Sequence, residues 1–478
     1  MAPTPMTTPV VIVGAGIAGL SAAYEFHKRG VPFVLLEAGA RAGGVIFGEQ
    51  VDGFVIDAGP DSLLIQKPEA IALCEELGLG SRLVPTKMPR AAYVQRGGRL
   101  HALPQASVLG IPTRVGPFIR TRLFSWPGKL RMAAELFVPK KREPGDESIG
   151  AFIGRRFGRE AVTYLADPLL AGIHAGDVDR LSVAALFPRF VESEQAQGSL
   201  LKAFRRSQPA HQSADGVFKS LPGGLGELVA AVAAALPRDA MRLQTAAVDI
   251  NRVPGEAQLR IRTSQSETID ARAVVLATPA YVTSSLVATL DTALARSCAE
   301  IPYTSVAIVA LAFERDAVAH PLSGSGFVVP RVERSPILAA TWLSSKWPGR
   351  APDNRALVRA FIGGARDPEA VDQPDEELVG RALEGLAPIG IRGAPLFTRV
   401  YRWRRANAQH EVGHLARMQA IEHALAGQPG LFITGSGFRG VGIPDCVADG
   451  RRVGGEAAAW LNRTGANPID GDAAGRSQ

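Results

Sequence analysis

Between the apolar run Val10–Val13 and the helical stretch that continues to Lys28 stands Gly14-Ala15-Gly16-Ile17-Ala18-Gly19, and a second apolar run, Phe33–Leu36, ends at Glu37. Both runs read as buried parallel strands, and Ile17–Lys28 reads as a helix with Leu20, Ala23 and Tyr24 on one face, stopped by Gly30. This is a right-handed βαβ unit. Gly14 makes the tight turn, Gly16 lets backbone approach a pyrophosphate, and Gly19 lets helix and strand pack closely. The free N–H groups of the helix start attract phosphate, and Glu37 is placed to accept hydrogen bonds from a ribose. A glycine triplet alone is weak evidence; strand, helix and acid together make a dinucleotide site.

The chain has 478 residues, enough for about three domains or one large discontinuous assembly. Its 51 glycines and 34 prolines favour alternating strands and helices over a long bundle. A net charge of +7 without a basic stripe interleaved with aromatics argues against nucleic acid. Cys74, Cys298 and Cys446 are far apart and form no CxxC, so neither a disulfide framework nor a metal site is expected, and a reducing, cytoplasmic setting is. Residues 9–26 are apolar, but the spaced glycines and the absence of a basic leader argue against a signal peptide or membrane span.

Further along, residues 41–62 read as a glycine-rich loop with a hairpin, Pro68–Leu79 as a helix, and Ala92–Leu103 as a hairpin around Gly97-Gly98. Residues 145–200 read as helical. Pro222–Leu236 reopens the α/β pattern, with strands at Ala247–Arg252 and Ala273–Ala277. Residues 301–315 and 355–363 suggest a second sheet, and Leu431–Thr434 a strand before the helix Val447–Leu461. Residues 463–478 read as a disordered tail.

Residues 111–142 mix eight basic residues with Phe118, Ile119, Trp126, Leu130, Phe137 and other apolar ones, and hold a single acid, Glu135. Such a stretch suits either a membrane interface or a helical face packed on a core.

Three further segments carry chemistry. Arg41-Ala42-Gly43-Gly44 closely follows Glu37, and Asp57-Ala58-Gly59-Pro60 comes after it along the same loop. Gly435-Ser436-Gly437-Phe438-Arg439-Gly440-Val441-Gly442-Ile443-Pro444-Asp445-Cys446 lies between a strand and a helix. A glycine-rich approach to a helix start would aim positive potential at a flavin carbonyl and stabilise the reduced, anionic ring. Cys446 reads as a packed small residue rather than a nucleophile.

On these segments the chain resembles the flavin-dependent protoporphyrinogen and coproporphyrinogen oxidases of the monoamine-oxidase-like superfamily. The resemblance is carried by GAGIAGL (14–20), LEAGARAGG (36–44), DAGPDS (57–62), AGIHAGDVDRLS (171–182), LPGGLGEL (221–228), GSGFVVP (324–330) and GFRGVGIPDC (437–446). It implies an α/β fold: a discontinuous Rossmann-type FAD-binding domain (1–85, 215–285, 428–462), a mixed-sheet substrate domain (86–105, 286–427) and a helical membrane-binding domain (106–214). FAD would contact Gly14, Ala15, Gly16, Ile17, Ala18, Gly19, Glu37, Ala38, Arg41, Gly43, Gly44 and Val45. It would also meet Gly59, Pro60, Asp61, Ser62, Val248, Ser436, Val441, Gly442 and Ile443. Arg90 would pair a substrate propionate, while Gly326, Val328 and Phe361 would line a flat pocket.

The implied reaction is oxidation of protoporphyrinogen IX to protoporphyrin IX in haem synthesis, with O2 as acceptor and hydrogen peroxide as product, and no assigned acid–base residue. Coproporphyrinogen III is the alternative substrate; its four propionates would want more cations, for which Arg402, Arg404 and Arg405 are candidates if they face inward. Rival readings are an amine oxidase, a carotenoid desaturase, or a flavin-free binder resembling GDP-dissociation inhibitors. The expected setting is cytoplasmic and peripheral on a membrane, with room for a homodimer. Where relatives carry Pro-Gln-Tyr before Gly-His, this chain has Ala408-Gln409-His410 and then Gly413-His414, so these histidines are expected to pack or hydrogen-bond rather than act as bases.

Overall fold

A computed structural model describes residues 6–104, 107–108, 111–112, 115–142, 145–206 and 215–464. Two seven-stranded sheets organise it. In the first, Met6–Val13 pairs in parallel with Phe33–Leu36 on one side and with Thr268–Leu276 on the other. Leu431–Ile433 adds in parallel to the far half of Thr268–Leu276, beyond the antiparallel partner Leu259–Thr263. Val10, Val11, Ile12, Val274 and Val275 are wholly buried, as strands covered on both faces require. Helix Ile17–Lys28 has the bounds the periodicity predicts.

That helix packs on the long helix Ile443–Arg463 through small residues. A β-carbon on Gly450 would collide with the carbonyl oxygen of Ala18, and one on Gly454 would lie 3.0 Å from that of Ala22. The final helix starts at Ile443, four residues before the expected Val447, because Pro444 suits its first turn. It runs to Arg463, so the tail expected from residue 463 cannot include that residue; residues 465–478 lie outside the described ones.

The second sheet runs from Phe397–Ala408 through Tyr303–Glu314, Arg355–Gly363, Ala339–Trp342 and Gly326–Val328 to the hairpin Ala92–Arg96 and Arg99–Ala102. One face packs as a core around Val309, Phe313, Phe327, Trp342 and Ala360.

The described residues between 115 and 206 are mostly helical. Their core joins Phe152, Phe157, Leu165, Leu170 and Phe190, tied by a buried ion pair between Arg156 and Glu135, the lone acid of the basic stretch. Lys129 and Arg131 donate to backbone carbonyls of Ile119, Arg155 and Arg156. Part of that basic character therefore serves packing. Among the described residues no helix is long and apolar enough to cross a membrane.

Candidate active site

The two glycine-rich segments, more than four hundred residues apart in sequence, leave the carboxyl ends of parallel strands in one sheet. Gly14, at φ +100°, ends the first strand, and its absent β-carbon would lie 2.8 Å from the carbonyl oxygen of Ala277, just past the neighbouring strand. Gly435, at φ +121°, leaves the strand on that neighbour's other side. Ligands of open α/β sheets bind at this edge.

Helices Ile17–Lys28 and Ile443–Arg463 both start here, capped by Gly16 and Gly442 with no side-chain acceptor. Their first N–H groups remain available to an anion. A β-carbon on Gly19 would strike the carbonyl oxygen of Gly14, whereas one on Gly16 would meet nothing within 4 Å. The middle glycine thus faces open space, as a pyrophosphate seat requires.

Around that seat, Glu37 accepts hydrogen bonds from the N–H groups of Ala15 (2.8 Å) and Gly39 (2.7 Å). Its carboxylate therefore sits against the glycine turn, at the end of the second strand, as a ribose-binding acid must. Gly43 donates to the Ala15 carbonyl at 2.7 Å, docking the Arg41–Gly44 turn. Arg41 is a brace of that turn: its guanidinium donates to the carbonyls of Ala42, Gly44 and Ile46 and stacks 4.5 Å from the Phe47 ring centre. Val45 and Val248 are exposed apolar side chains. Backbone cradle and carboxylate together fit FAD.

The segment Asp57–Ser62 is gripped by the second sheet. Asp57 pairs with the fully buried Arg350 at 2.9 Å and accepts the Leu225 N–H. Asp61 pairs with Lys346 at 2.9 Å and Arg359 at 3.1 Å. Burial opposes its ionisation, but the Lys346 and Arg359 charges prevail and hold it well below the ordinary carboxylate range. Arg359 also donates to the carbonyls of Asp57 and Gly59, and Trp403 Nε1 to that of Ala58 at 2.6 Å. Gly59 and Pro60 are placed by these contacts, while the side chains of Asp61 and Ser62 are engaged with Lys346.

The remaining face of the second sheet brings the expected substrate residues into register. Val328, Ala339, Phe361, Ile308 and Tyr401 form one row across five strands, and Gly326, Thr341, Arg359 and Ala310 form the next. Gly326 adopts φ +138°, where a β-carbon would strike the Ala340 carbonyl. Helix Asp167–His174 lies over this face: a β-carbon on Gly172 would sit 3.0 Å from Val328, and Ala171 and Ala175 cluster with Val306, Ile308, Phe361 and Trp403. The result is an apolar wall running toward the loop held by Arg359. Arg90 lies at the edge of this sheet, two residues before Ala92, which pairs with Gly326. It is exposed, donates from Nε to the Thr86 carbonyl at 3.1 Å, and forms no ion pair among the described residues.

Arg402, Arg404 and Arg405 do not face this wall. Strand alternation that presents Tyr401 and Trp403 turns Arg402 and Arg404 the other way, where they pair with Asp375 (2.6 Å) and Asp372 (2.8 Å). Arg405 lies 3.7 Å from the Tyr281 ring centre. Cys446 is buried and its thiol is pushed up to about 12 by that burial, so it stays protonated. No group of side chains suited to a metal occurs among the described residues.

The profile of flavin containing amine oxidoreductases matches residues 17–457. The chain belongs to that family. FAD is accordingly its cofactor, consistent with the cradle described above. Coproporphyrinogen III oxidase of Bacillus subtilis is 36% identical over 466 residues, covering 95% of this chain and 98% of the relative. The mitochondrial protoporphyrinogen oxidase of Nicotiana tabacum is 27% identical, covering 92% and 93%. The solved structure of an Exiguobacterium sp. 255-15 protein superposes with a TM-score of 0.84 at 31% identity, covering 96% of this chain and all of that one.

Sequence reasoning missed several parts of the site. Arg350, Arg359, Lys346 and Trp403 hold the Asp57–Ser62 segment from far along the chain, and Lys67 pairs with Asp445 at 2.6 Å. A basic or aromatic residue inside an otherwise apolar strand, as at Arg359, was the available signal.

Proposed function

We propose that the chain oxidises coproporphyrinogen III to coproporphyrin III, with three O2 consumed and three hydrogen peroxide released as six hydrogens leave the macrocycle. The observation that carries this reading is 36% identity to a coproporphyrinogen III oxidase, against 27% to a protoporphyrinogen oxidase, at nearly equal coverage. It favours the alternative substrate of the sequence reading over protoporphyrinogen IX.

Bound FAD would accept hydride from the macrocycle and be reoxidised by O2. The protein's share is placement. The half-buried Val328, Phe361 and Tyr401, backed by the buried Ile308, would hold the macrocycle's apolar face and exclude water. Arg90 would take a propionate in a charge-assisted pair, having no carboxylate partner among the described residues. No acid–base side chain is required of the site.

Both porphyrinogens should be turned over side by side and followed by porphyrin fluorescence. Coproporphyrinogen III is expected to lead in kcat/KM by about tenfold or more. Equal rates, or a preference for protoporphyrinogen IX, would overturn the substrate assignment; peroxide from a simple amine but from neither porphyrinogen would overturn the reaction class.

We also propose peripheral membrane contact through residues 119–142. Phe137 is 86% exposed, Leu130 70% and Trp126 64%, beside the exposed Arg120, Arg122, Lys140 and Arg142. Interfacial segments combine these residue types. The holoenzyme should cosediment with vesicles rich in phosphatidylglycerol, and the pair Leu130→Glu, Phe137→Glu should abolish this. Equal sedimentation of wild type and variant would remove the segment from any such role.

A further inference from the structure

Beneath the glycine-rich C-terminal turn lie two histidines with no other evident task. The His410 and His414 rings stack with centres 3.8 Å apart and planes 10° apart. Both residues are only 2% exposed. His410 Nε2 lies 3.1 Å from the Ser436 carbonyl oxygen, and His414 Nε2 lies 2.8 Å from that of Phe438. A carbonyl oxygen can only accept, so Nε2 must carry the proton in both rings. Nδ1 of His414 is buried without a partner, which suits a neutral ring in this tautomer.

We propose that His410 and His414 are positioning residues for the flavin, fixing through the Ser436 and Phe438 carbonyls the turn that precedes Val441–Ile443. In a trans peptide the C=O and the following N–H point in opposite directions. Holding the Ser436 and Phe438 carbonyls on the histidine side therefore turns the N–H groups of Gly437 and Arg439 away from the rings. The turn is also held by the buried Phe438 side chain, by the Phe438 N–H donating to the Gly435 carbonyl at 3.1 Å, and by Arg439, which pairs with Glu422 at 3.0 Å; the histidine bonds add the orientation of the Ser436 and Phe438 peptides.

The stack is itself anchored. The His410 carbonyl accepts from Ser182 N–H at 2.9 Å, Gly413 N–H donates to Asp146 at 3.2 Å, and Gln409 Nε2 donates to the His174 carbonyl at 2.9 Å. Arg417 and Asp146 are the charges that bear on His414, and His174 bears on His410. The pair thus links the helical region, the end of strand Phe397–Ala408 and the turn. The inference rests on the reading that Ser436 and Val441–Ile443 flank the isoalloxazine.

The test uses the FAD-loaded protein and four variants. His410→Phe and His414→Phe keep a stacked ring and remove the donor; His410→Gln and His414→Gln keep a donor and remove the ring. Gly442→Ala serves as a control for the turn. The readouts are the flavin reduction potential, its visible spectrum, FAD affinity, amide exchange over residues 435–442, and separate kcat and KM. Both Phe variants should exchange these amides and release FAD roughly tenfold faster, shift potential and spectrum, and lower kcat with KM unmoved; the Gln variants should restore each value. If Gly442→Ala moves the potential and spectrum while the Phe variants leave them at wild-type values, the positioning role is overturned and the flavin-facing turn stands. If none of the three moves them, the turn does not meet the flavin and both readings fall. Should the Phe variants not fold, Gln variants that fold with a displaced potential and faster exchange would also overturn the role of the donor.

Discussion

Arg359 donates a 2.7 Å hydrogen bond to the carbonyl oxygen of Gly59, crossing from the second sheet to a glycine turn three hundred residues earlier. The same guanidinium pairs with Asp61, and Arg359 is 2% exposed. Removing it leaves a buried carboxylate with Lys346 as its one remaining paired cation among the described residues. Arg359→Leu is expected to cost about 3 kcal/mol of stability and to lower the ratio of visible to ultraviolet absorbance in purified protein. Arg359→Lys should rescue poorly, since a single ammonium cannot serve two carbonyls and a carboxylate in a planar fork. Melting curves and flavin content decide this.

Gly16 and Gly19 should fail in different ways. Gly16 has extended backbone (φ −66°) and space for a side chain, so Gly16→Val should fold as apoprotein yet weaken FAD binding at least tenfold, a loss of about 1.4 kcal/mol. Gly19→Val drives side-chain atoms into the Gly14 carbonyl and should destabilise the fold itself by about 2 kcal/mol. Denaturation of the two apoproteins, followed by FAD titration, separates the effects.

Arg90→Ala should raise KM for the porphyrinogen roughly tenfold or more while leaving flavin content unchanged, because the residue is exposed and its side chain donates to the Thr86 carbonyl rather than to the glycine cradle. Steady-state kinetics beside a flavin assay checks this, and an unaltered KM would take Arg90 out of the substrate site.

Acid should loosen the junction under the flavin turn before carboxylates protonate. Burial, with the neighbouring His414 ring, lowers His410 from 6.5 to about 3, and burial also lowers His414. The unfolded chain then binds more protons than the folded one between those limits. The contribution is fully present above pH 6.5 and is lost as pH falls toward 3. Asp61, also depressed, adds its own loss below about pH 4. Melting temperature should therefore decline between pH 7 and 5 in the wild type, and less steeply in His410→Gln.

Much of the first sheet was legible because its signals are local. Val10–Val13, Gly14, Ile17–Lys28 and Phe33–Leu36 follow one another within a single βαβ unit, and the helix bounds agree with its periodicity. The hairpin Ala92–Arg96 with Arg99–Ala102 was legible for the same reason: Gly97 and Gly98, both at positive φ, declare the turn. Strand Phe397–Ala408 was not read, because Arg399, Arg402, Arg404 and Arg405 break the apolar signature that a half-buried strand usually shows. The grip of Arg350 and Arg359 on Asp57 and Asp61 was equally out of reach, since only tertiary pairing decides which buried cation meets which acid. Glu37 lies at the end of the second strand, where the sequence pattern puts it, and its contact with the Ala15 N–H and the bracing of its own loop by Arg41 are tertiary details.

The packing of helix Ile443–Arg463 on helix Ile17–Lys28 has a consequence for truncated chains. The flank of helix Ile17–Lys28 beside the glycine turn finds its cover only in a segment more than four hundred residues later, so a chain cut before residue 443 would carry that apolar flank bare to solvent.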